Sequence, residues 1–202
     1  MEKGAILPLF YLPPISYFKI LLTHQHHIEI ERFENFPKQT FRNRAAIYSP
    51  NGSLNLIIPV IKGSKNHTLV KDVKISYDFR WQRIHWMSLQ TSYRSSAYFE
   101  FYEDDLIKFY EKKWEFLFDY NLNILELLLK LLKINVVYSF TEEYKQPTES
   151  LIDYRTALQS KEISNYPAKR YFQLFEDREG FIPNLSILDL LFNQGPQSLN
   201  YI

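Results

Sequence analysis

Apolar residues in the first 31 positions follow a strand, helix and strand pattern. Residues 4–9 form a short apolar run that ends before Pro13 and Pro14. Over Ile15–Thr23 apolar side chains recur at helical spacing, and the two prolines suit the first turn of a helix. Residues 28–31 alternate apolar and acidic side chains, which predicts a second strand. These three elements predict a βαβ unit and therefore a parallel pairing of its strands.

Two further apolar runs are separated by a turn signal. Residues 46–48 and 54–60 flank the dipeptide Asn51-Gly52. Asn-Gly between apolar runs is typical of a β-hairpin, because both residues tolerate positive φ. We therefore predict an antiparallel hairpin here, followed by a further short strand over residues 73–75.

The second half of the chain is mainly helical in its spacing. We predict helices over residues 80–93, 99–114, 122–132 and 186–195, and a strand over residues 136–140. Asp119 or Asn121 is the expected N-cap of the leucine-rich helix, and residues 141–170 are polar and turn-rich. The order of elements predicts the α/β class, with a parallel or mixed sheet flanked by helices and an antiparallel hairpin insertion. The length predicts one domain over residues 1–202.

The composition is typical of a globular chain with an aromatic-rich interior. Hydrophobic residues make up 46% of the 202 positions and aromatic residues 17%, enough for a sizeable core. Cysteine is absent, which excludes disulfides, thiolate catalysis and cysteine-ligated zinc. Prolines interrupt the apolar N-terminus, and the leucine-rich stretch is shorter than the roughly 20 residues that span a bilayer. We expect a soluble, cytoplasmic protein without membrane contact.

Charge is distributed unevenly along the chain, although the net charge is only +1. Residues 35–94 contain ten cations against two acids, a net charge of +8, whereas residues 99–153 contain twelve acids against six lysines, a net charge of −6. Such asymmetry predicts a face that attracts an anion. Nucleic acid is a less favoured partner than a small anion, because no RRM, KH or zinc-finger pattern accompanies the basic segment.

Several common chemistries have no sequence support. The chain has five glycines and contains no G-x-G-x-x-G, Walker A or G-x-S-x-G pattern. His24, His26 and His27 cluster after the first helix, but no H-E-x-x-H pattern accompanies them. We expect neither a cofactor nor a metal, and any phosphate must meet basic side chains or helix N-termini.

The strongest candidate for anion binding is a basic segment near the predicted hairpin. Arg42 and Arg44 share one face if the segment is extended, and arginine suits bidentate contact with phosphate. Asn35, Lys38 and Asn43 add polar groups that could bind the same substrate. The alternative is a solvated strand edge, where charge opposes aggregation.

Other candidates are more isolated. His85, on a predicted helix, has the ordinary pKa of about 6.5 that suits a general base, or it is a half-buried packing residue. Arg94 either binds an anion or ends one helix. Tyr11 and Tyr17 flank the first strand–helix turn, a common ligand position in open α/β sheets. We assign catalysis to His85 and Tyr17 and substrate binding to Tyr11 and Arg94.

Four stretches of the chain, taken in order, resemble a known family, the WbqC-like proteins of bacteria. These stretches are Leu7-Pro8-Leu9-Phe10-Tyr11-Leu12-Pro13-Pro14-Ile15-Ser16-Tyr17-Phe18, Lys38-Gln39-Thr40-Phe41-Arg42-Asn43-Arg44, Trp81-Gln82-Arg83-Ile84-His85 and Pro183-Asn184-Leu185-Ser186-Ile187-Leu188-Asp189-Leu190-Leu191-Phe192-Asn193-Gln194-Gly195. Together they run through nearly the full length of the chain.

The resemblance implies a role in bacterial surface polysaccharide synthesis. It implies binding of a nucleotide-sugar, with aminoacyl or acyl transfer to an amino sugar as the activity. The opening also looks like that of HIGH-type nucleotidyltransferases, which implies a Rossmann-like (HUP) fold by analogy. Two departures put catalysis in question: Arg32 and Phe33 replace an acidic pair of typical members, and residues 141–170 replace a glycine-rich segment.

Two classes of function follow from these observations. The leading hypothesis is an enzyme, or an enzyme-derived protein, that binds an anionic small molecule. The alternative is a non-catalytic binding or assembly protein, which forms a homo-oligomer through its aromatic and leucine-rich surfaces.

Overall fold

The main sheet of the protein has four parallel strands. The computed structural model describes residues 3–61, 68–146, 148–156 and 167–202. The strands of the chain are β1 (Gly4–Leu7), β2 (Ile28–Ile30), β3 (Arg44–Ser49), β4 (Gly52–Ile57), β5 (Tyr138–Phe140) and β6 (Leu151–Asp153). The main sheet has the order β5-β2-β1-β6, and β3 and β4 form a separate two-stranded sheet. The protein is therefore a mixed α/β protein with an antiparallel hairpin beside its parallel sheet.

The predicted βαβ unit is confirmed. Helix α1 (Ile15–Thr23) connects β1 to β2, and the two strands pair in parallel with Ala5 opposite Ile28. Ile15, Tyr17, Phe18 and Leu21 give α1 its buried face. Because the crossover is a helix, both strands point the same way and their carboxyl ends meet at one edge of the sheet.

The predicted hairpin is also confirmed, with a loop one residue earlier than the Asn51-Gly52 signal. Ser49 pairs with Gly52, so Pro50 and Asn51 form the loop. Gly52 has φ of +88°, a conformation that glycine adopts without steric cost.

Helices cover the sheets. They are α2 (Trp81–Tyr93), α3 (Phe99–Glu111), α4 (Leu117–Leu131), α5 (Glu176–Glu179) and α6 (Ile187–Gln194). The predicted N-cap of the leucine-rich helix is wrong, because α4 begins at Leu117, before both Asp119 and Asn121. The N–H of Leu117 donates to the carbonyl oxygen of Val73 at 2.8 Å, so contact with a distant segment defines this helix start.

The predicted strand over residues 73–75 is also wrong. Val70–Asp72 forms a 3-10 helix, and Lys74 and Ile75 make only isolated bridges, to Phe116 and Val60. The segment is extended, but its hydrogen bonds are divided between two partners, and no continuous ladder forms.

The stretch over residues 141–170, expected to be polar and turn-rich, contains a strand of the main sheet. This strand, β6, pairs in parallel with β1, with Leu151 opposite Gly4 and Ile152 opposite Ala5. It extends the sheet on the side of β1 that faces away from β2. Residue 147 and residues 157–166 of the stretch lie outside the described residues.

The final helix begins as predicted. The Oγ atom of Ser186 caps α6 by accepting the N–H of Leu188 at 3.3 Å. Gly195 ends the helix, and a 3-10 helix follows over Gly195–Tyr201. Backbone hydrogen bonds from Ile15 to Leu185 and from Ile187 to Pro13 join α6 to the start of α1. The first strand–helix turn is therefore covered by the C-terminal part of the chain.

Candidate functional site

Polar side chains converge at the carboxyl edge of the parallel sheet. Glu31 follows β2, Thr141 follows β5, and Arg155 follows β6. The chain passes from β1 outward to β2 and β5, then crosses to the other side of β1 for β6. In open α/β sheets ligands bind at the carboxyl edge where the strand order reverses in this way.

An ion-pair network fills this edge. Nη1 of Arg155 donates to Glu31 at 2.6 Å, and its Nε and Nη2 donate to Asp153 at 3.0 and 2.7 Å. The hydroxyl of Thr141 donates to Glu31 at 2.8 Å. Partial burial raises the pKa of Asp153, but the hydrogen bonds and charge of Arg155 outweigh it and leave that pKa below its ordinary value. The network joins the ends of three parallel strands.

A second ion pair, between Arg42 and Glu34, adjoins the first. Nη2 of Arg42 donates both to Glu34, at 2.6 Å, and to the carbonyl oxygen of Arg155, at 3.2 Å. Burial raises the pKa of Glu34 more than Arg42 lowers it. The pKa of this carboxyl group therefore lies above its ordinary value.

A surface cleft of about 440 Å³ opens onto these pairs. We call it the carboxyl-edge cleft and define it by six of its lining residues, Phe33, Glu34, Asn35, Arg42, Tyr144 and Arg155. Asn35 and Tyr144 are exposed, whereas Arg42 and Arg155 lie behind them in the interior. The cleft offers aromatic faces and hydrogen-bonding groups held by a rigid base.

The structure brings only part of the predicted site to this cleft. Asn35 and Arg42 line it, and Lys38 is exposed in the loop that connects them. The side chain of Asn43 is buried and donates to the carbonyl oxygen of Ile58 at 2.9 Å. Arg44 begins β3 and does not line the cleft. The substrate-binding roles of these residues stay predictions.

Arg94 lies apart from the cleft. It follows α2, and its Nη2 pairs with Glu103 of α3 at 3.3 Å. The described cations of the basic segment therefore do not converge on one binding site. Lys71 pairs with Asp72, and Lys74 pairs with Glu115. Lys62 and Lys65 lie outside the described residues.

His85 and Tyr11 meet in the interior. The hydroxyl of Tyr11 lies 2.9 Å from Nδ1 of His85 and 3.1 Å from the hydroxyl of Tyr110. His85 is only 4% exposed, and burial lowers its pKa to about 4. This placement favours the packing alternative for His85, and its catalytic role stays a prediction.

Tyr17 is fully buried and lies at another point of the first turn. Its hydroxyl donates to the carbonyl oxygen of Pro8 at 2.9 Å, so it braces the segment after β1. Burial raises its pKa above the ordinary value, with Arg42 acting in the opposite direction. Its catalytic role likewise stays a prediction.

Sequence reasoning missed most of the cleft. Glu31 is the last residue of a predicted strand and Glu34 lies three residues beyond it, which was a usable signal, since residues at the carboxyl ends of parallel strands meet at one edge. Asp153 and Arg155 had no such signal because β6 was not predicted. Tyr144 lies in the same polar stretch.

A buried carboxylate outside the cleft was also missed. Asp189 of α6 accepts hydrogen bonds from Tyr93, Tyr171 and Gln173 at 2.8, 2.6 and 2.9 Å. Burial raises its pKa to about 6, although these three hydrogen bonds lower it. It joins α2, α6 and the segment before α5.

The fold and the cleft define an α/β protein with a surface cleft at the carboxyl edge of its parallel sheet. The chain belongs to the WbqC-like protein family, whose family model matches residues 10–173 and 153–201. The chain is similar to a Mycobacterium tuberculosis (strain ATCC 25618 / H37Rv) protein, "Uncharacterized protein Rv1507c". The two are 25% identical over an alignment of 228 residues, which covers 100% of this chain and 98% of that protein. No solved structure gives a significant match.

Two features are absent from the parts of the chain that the structure describes. No helix there combines the length and apolar character that crossing a bilayer requires. Within the same residue ranges, no group of three or more His, Cys, Asp or Glu side chains is arranged to hold a metal ion.

Proposed function

We propose that this protein binds a nucleotide-linked sugar in the carboxyl-edge cleft, as a cytoplasmic component of bacterial surface polysaccharide synthesis. The observation that carries the proposal is the position of the cleft, at the carboxyl ends of strands on both sides of β1. Numbered in chain order, the four parallel strands are arranged 3-2-1-4, which matches the first four strands of the doubly wound order 3-2-1-4-5-6. We therefore propose a Rossmann-like fold, with one domain over residues 1–202.

The lining of the cleft suits a sugar. Tyr144 and Phe33 present aromatic rings, which pack against the apolar faces of sugar rings, and Asn35 and Glu34 offer hydrogen-bonding partners for hydroxyl or amino groups. We propose acyl or aminoacyl transfer to an amino sugar as the reaction, with the protein either an active enzyme or an enzyme-derived binding protein.

Isothermal titration calorimetry with a panel of nucleotide-sugars tests the proposal. Tyr144→Ala and Asn35→Ala alter exposed groups and remove no member of an ion pair, although the Tyr144 ring packs on Arg155 with Cζ 4.4 Å from the ring centre. We expect folded proteins with affinity about five- to ten-fold weaker for each variant. Arg94→Ala is the matched control, since it removes a predicted site residue outside the cleft. Absence of binding to every nucleotide-sugar, or equal affinities in all variants, would contradict the proposal.

A second candidate function, an assembly protein, is favoured by one feature. An open groove of about 540 Å³ between α2 and the β3–β4 hairpin is lined in part by Leu54, Ile84 and Met87. Ile84 is 58% exposed and Met87 51% exposed, and exposed apolar side chains in a groove are typical of protein interfaces. Sedimentation velocity at several concentrations tests it: a monomer at all of them contradicts self-assembly.

A further inference from the structure

The guanidinium group of Arg32 is fixed beside the carboxyl-edge cleft by two aromatic rings. Its Cζ atom lies 5.2 Å from the centre of the Phe140 ring and 5.6 Å from the centre of the Phe33 ring. Its Nε atom donates to the carbonyl oxygen of Thr141 at 3.3 Å. The side chain is therefore held by contacts that use its faces and one of its five N–H donors.

The backbone of Arg32 is fixed as well. Its N–H donates to the hydroxyl of Thr141 at 3.1 Å, and its carbonyl oxygen accepts the N–H of Lys71 at 3.2 Å. Thr141 in turn is bonded to Glu31 in the ion-pair network. A ligand that contacts Arg32 meets a group that needs little reorganisation, which favours tight binding.

The Nη atoms of Arg32 are the available part of this side chain. Among the residues that the structure describes, neither Nη has a hydrogen-bond acceptor, and no carboxylate pairs with the guanidinium. A guanidinium presents these donors as a planar fork that matches the oxygens of phosphate. Arg32 thus combines a fixed position with unused donors.

The other two arginines at this edge differ in this respect. Arg42 uses Nε and Nη2 on Glu34, and Arg155 uses its donors on Asp153 and Glu31. These two cations and three carboxylates together carry a net charge of −1. The interior of the cleft therefore gives an anion little attraction, whereas it suits neutral hydroxyl groups.

The surroundings of Arg32 indicate the side on which an anion would bind. Phe33 lines the carboxyl-edge cleft, whereas Phe140 lines a neighbouring depression that contains three glutamates, Glu142 and Glu143 among them, and one lysine. Those acids repel an anion, so the Phe33 side is the favourable one. An anion there lies next to the mouth of the cleft.

We infer that Arg32 binds the phosphate group of the ligand at the mouth of the carboxyl-edge cleft. Arg42 and Arg155 are positioning residues that hold the cleft and do not contact that phosphate. The identity of the rest of the ligand rests on the proposed function, but phosphate binding by Arg32 is testable without it.

Nuclear magnetic resonance with pyrophosphate as the probe tests the inference. The Nε–H resonance of Arg32 is assigned by its loss in Arg32→Lys, and we expect millimolar pyrophosphate to shift it while those of Arg42 and Arg155 stay in place. Arg32→Gln should weaken pyrophosphate binding about ten-fold or more, because a charge-assisted bidentate contact is lost. Arg32→Lys keeps the positive charge but lacks the planar pair of donors, so its affinity for pyrophosphate should lie between those of the wild type and Arg32→Gln.

Arg83→Gln is the control, since it makes the same charge change on the exposed side of α2. Thermal denaturation of each variant checks that it is folded. Unchanged pyrophosphate affinity in Arg32→Gln, a shift of Arg42 in place of Arg32, or no binding to wild type would overturn the inference.

The same variants separate the inference from the proposed function. Pyrophosphate binding that depends on Arg32, without binding of any nucleotide-sugar, supports the inference and contradicts the proposed function. Nucleotide-sugar binding that depends on Tyr144 but not on Arg32 supports the proposed function and contradicts the inference.

Discussion

Arg42 and Glu34 form a bidentate ion pair in the interior, with 2.7 Å between Nε and Oε1 and 2.6 Å between Nη2 and Oε2. The side chain of Arg42 is 2% exposed and that of Glu34 is 9% exposed. The side chain of Asn121 also donates to the carbonyl oxygen of Arg42 at 2.7 Å, which joins α4 to the same loop. The pair therefore has a structural role at the base of the cleft.

Removing one partner of this pair should destabilise the protein strongly. Arg42→Met leaves Glu34 buried without its counter-ion, and we expect the free energy of unfolding in urea to fall by about 3–5 kcal/mol. Arg94→Met removes an exposed ion pair with Glu103 and should cost about 1 kcal/mol or less. The double variant Glu34→Gln/Arg42→Met should recover part of the loss. Similar losses for Arg42→Met and Arg94→Met would show that the buried pair has no special role.

His85 should make the stability depend on pH. Because burial lowers its pKa to about 4, against about 6.5 in an unfolded chain, the unfolded chain takes up the proton first as pH falls. The contribution of His85 to the free energy of unfolding is complete above pH 6.5 and decreases towards pH 4, by about 3 kcal/mol in total. We expect His85→Asn to lack this decrease in urea denaturation between pH 7 and pH 4.5. His26→Gln, an exposed change, should keep the wild-type profile, and a profile unchanged by His85→Asn would exclude this origin.

Asp189 should change the stability with pH in the opposite direction, over a similar pH range. Its folded pKa of about 6 lies above the ordinary 3.8, so the folded protein binds more protons between these values. Its contribution is complete below pH 3.8 and is lost as pH rises through 6, again by about 3 kcal/mol. Asp189→Asn should therefore show stability that rises more steeply with pH than the wild type. The same urea series measures it, and a flatter profile in Asp189→Asn would contradict the assignment.

Gly195 ends α6 where a side chain does not fit. Its φ is +51°, and an added Cβ would lie 2.5 Å from Cδ1 of Tyr98. Gly180 has φ of +74° and ψ of 175° with nothing within 4 Å of such an atom, so Gly180→Ala should cost only the backbone strain of about 1–3 kcal/mol. Gly195→Ala should lower the free energy of unfolding by about 1–3 kcal/mol more, from overpacking against Tyr98. Equal losses measured by chemical denaturation would mean that Tyr98 moves aside freely.

Local signals predicted much of the fold. Helix α1, the β3–β4 hairpin and the Ser186 cap of α6 each follow from residues close in sequence, such as Pro13-Pro14 before α1 and Gly52 after the hairpin loop. Strand β6 could not be predicted in the same way, because it has three residues and lies in a polar stretch. Its pairing with β1 comes from the tertiary structure.

The site was less predictable because its contacts are distant in sequence. Arg155 and Glu31 are 124 residues apart, and no periodicity connects them. The charge count over residues 35–94 indicated a basic face, but Glu34, one residue outside that window, neutralises Arg42. Arg32 also lies outside the window. The number of cations in a segment therefore does not show which of them is available to a ligand.

A crystal structure of the protein with its tightest-binding nucleotide-sugar tests the central claim most directly. The account predicts the sugar within the carboxyl-edge cleft against Tyr144 and Asn35, and a phosphate oxygen within hydrogen-bond distance of the Nη atoms of Arg32. A ligand bound elsewhere, in the groove beside Ile84 and Met87 or next to Arg94, would contradict it.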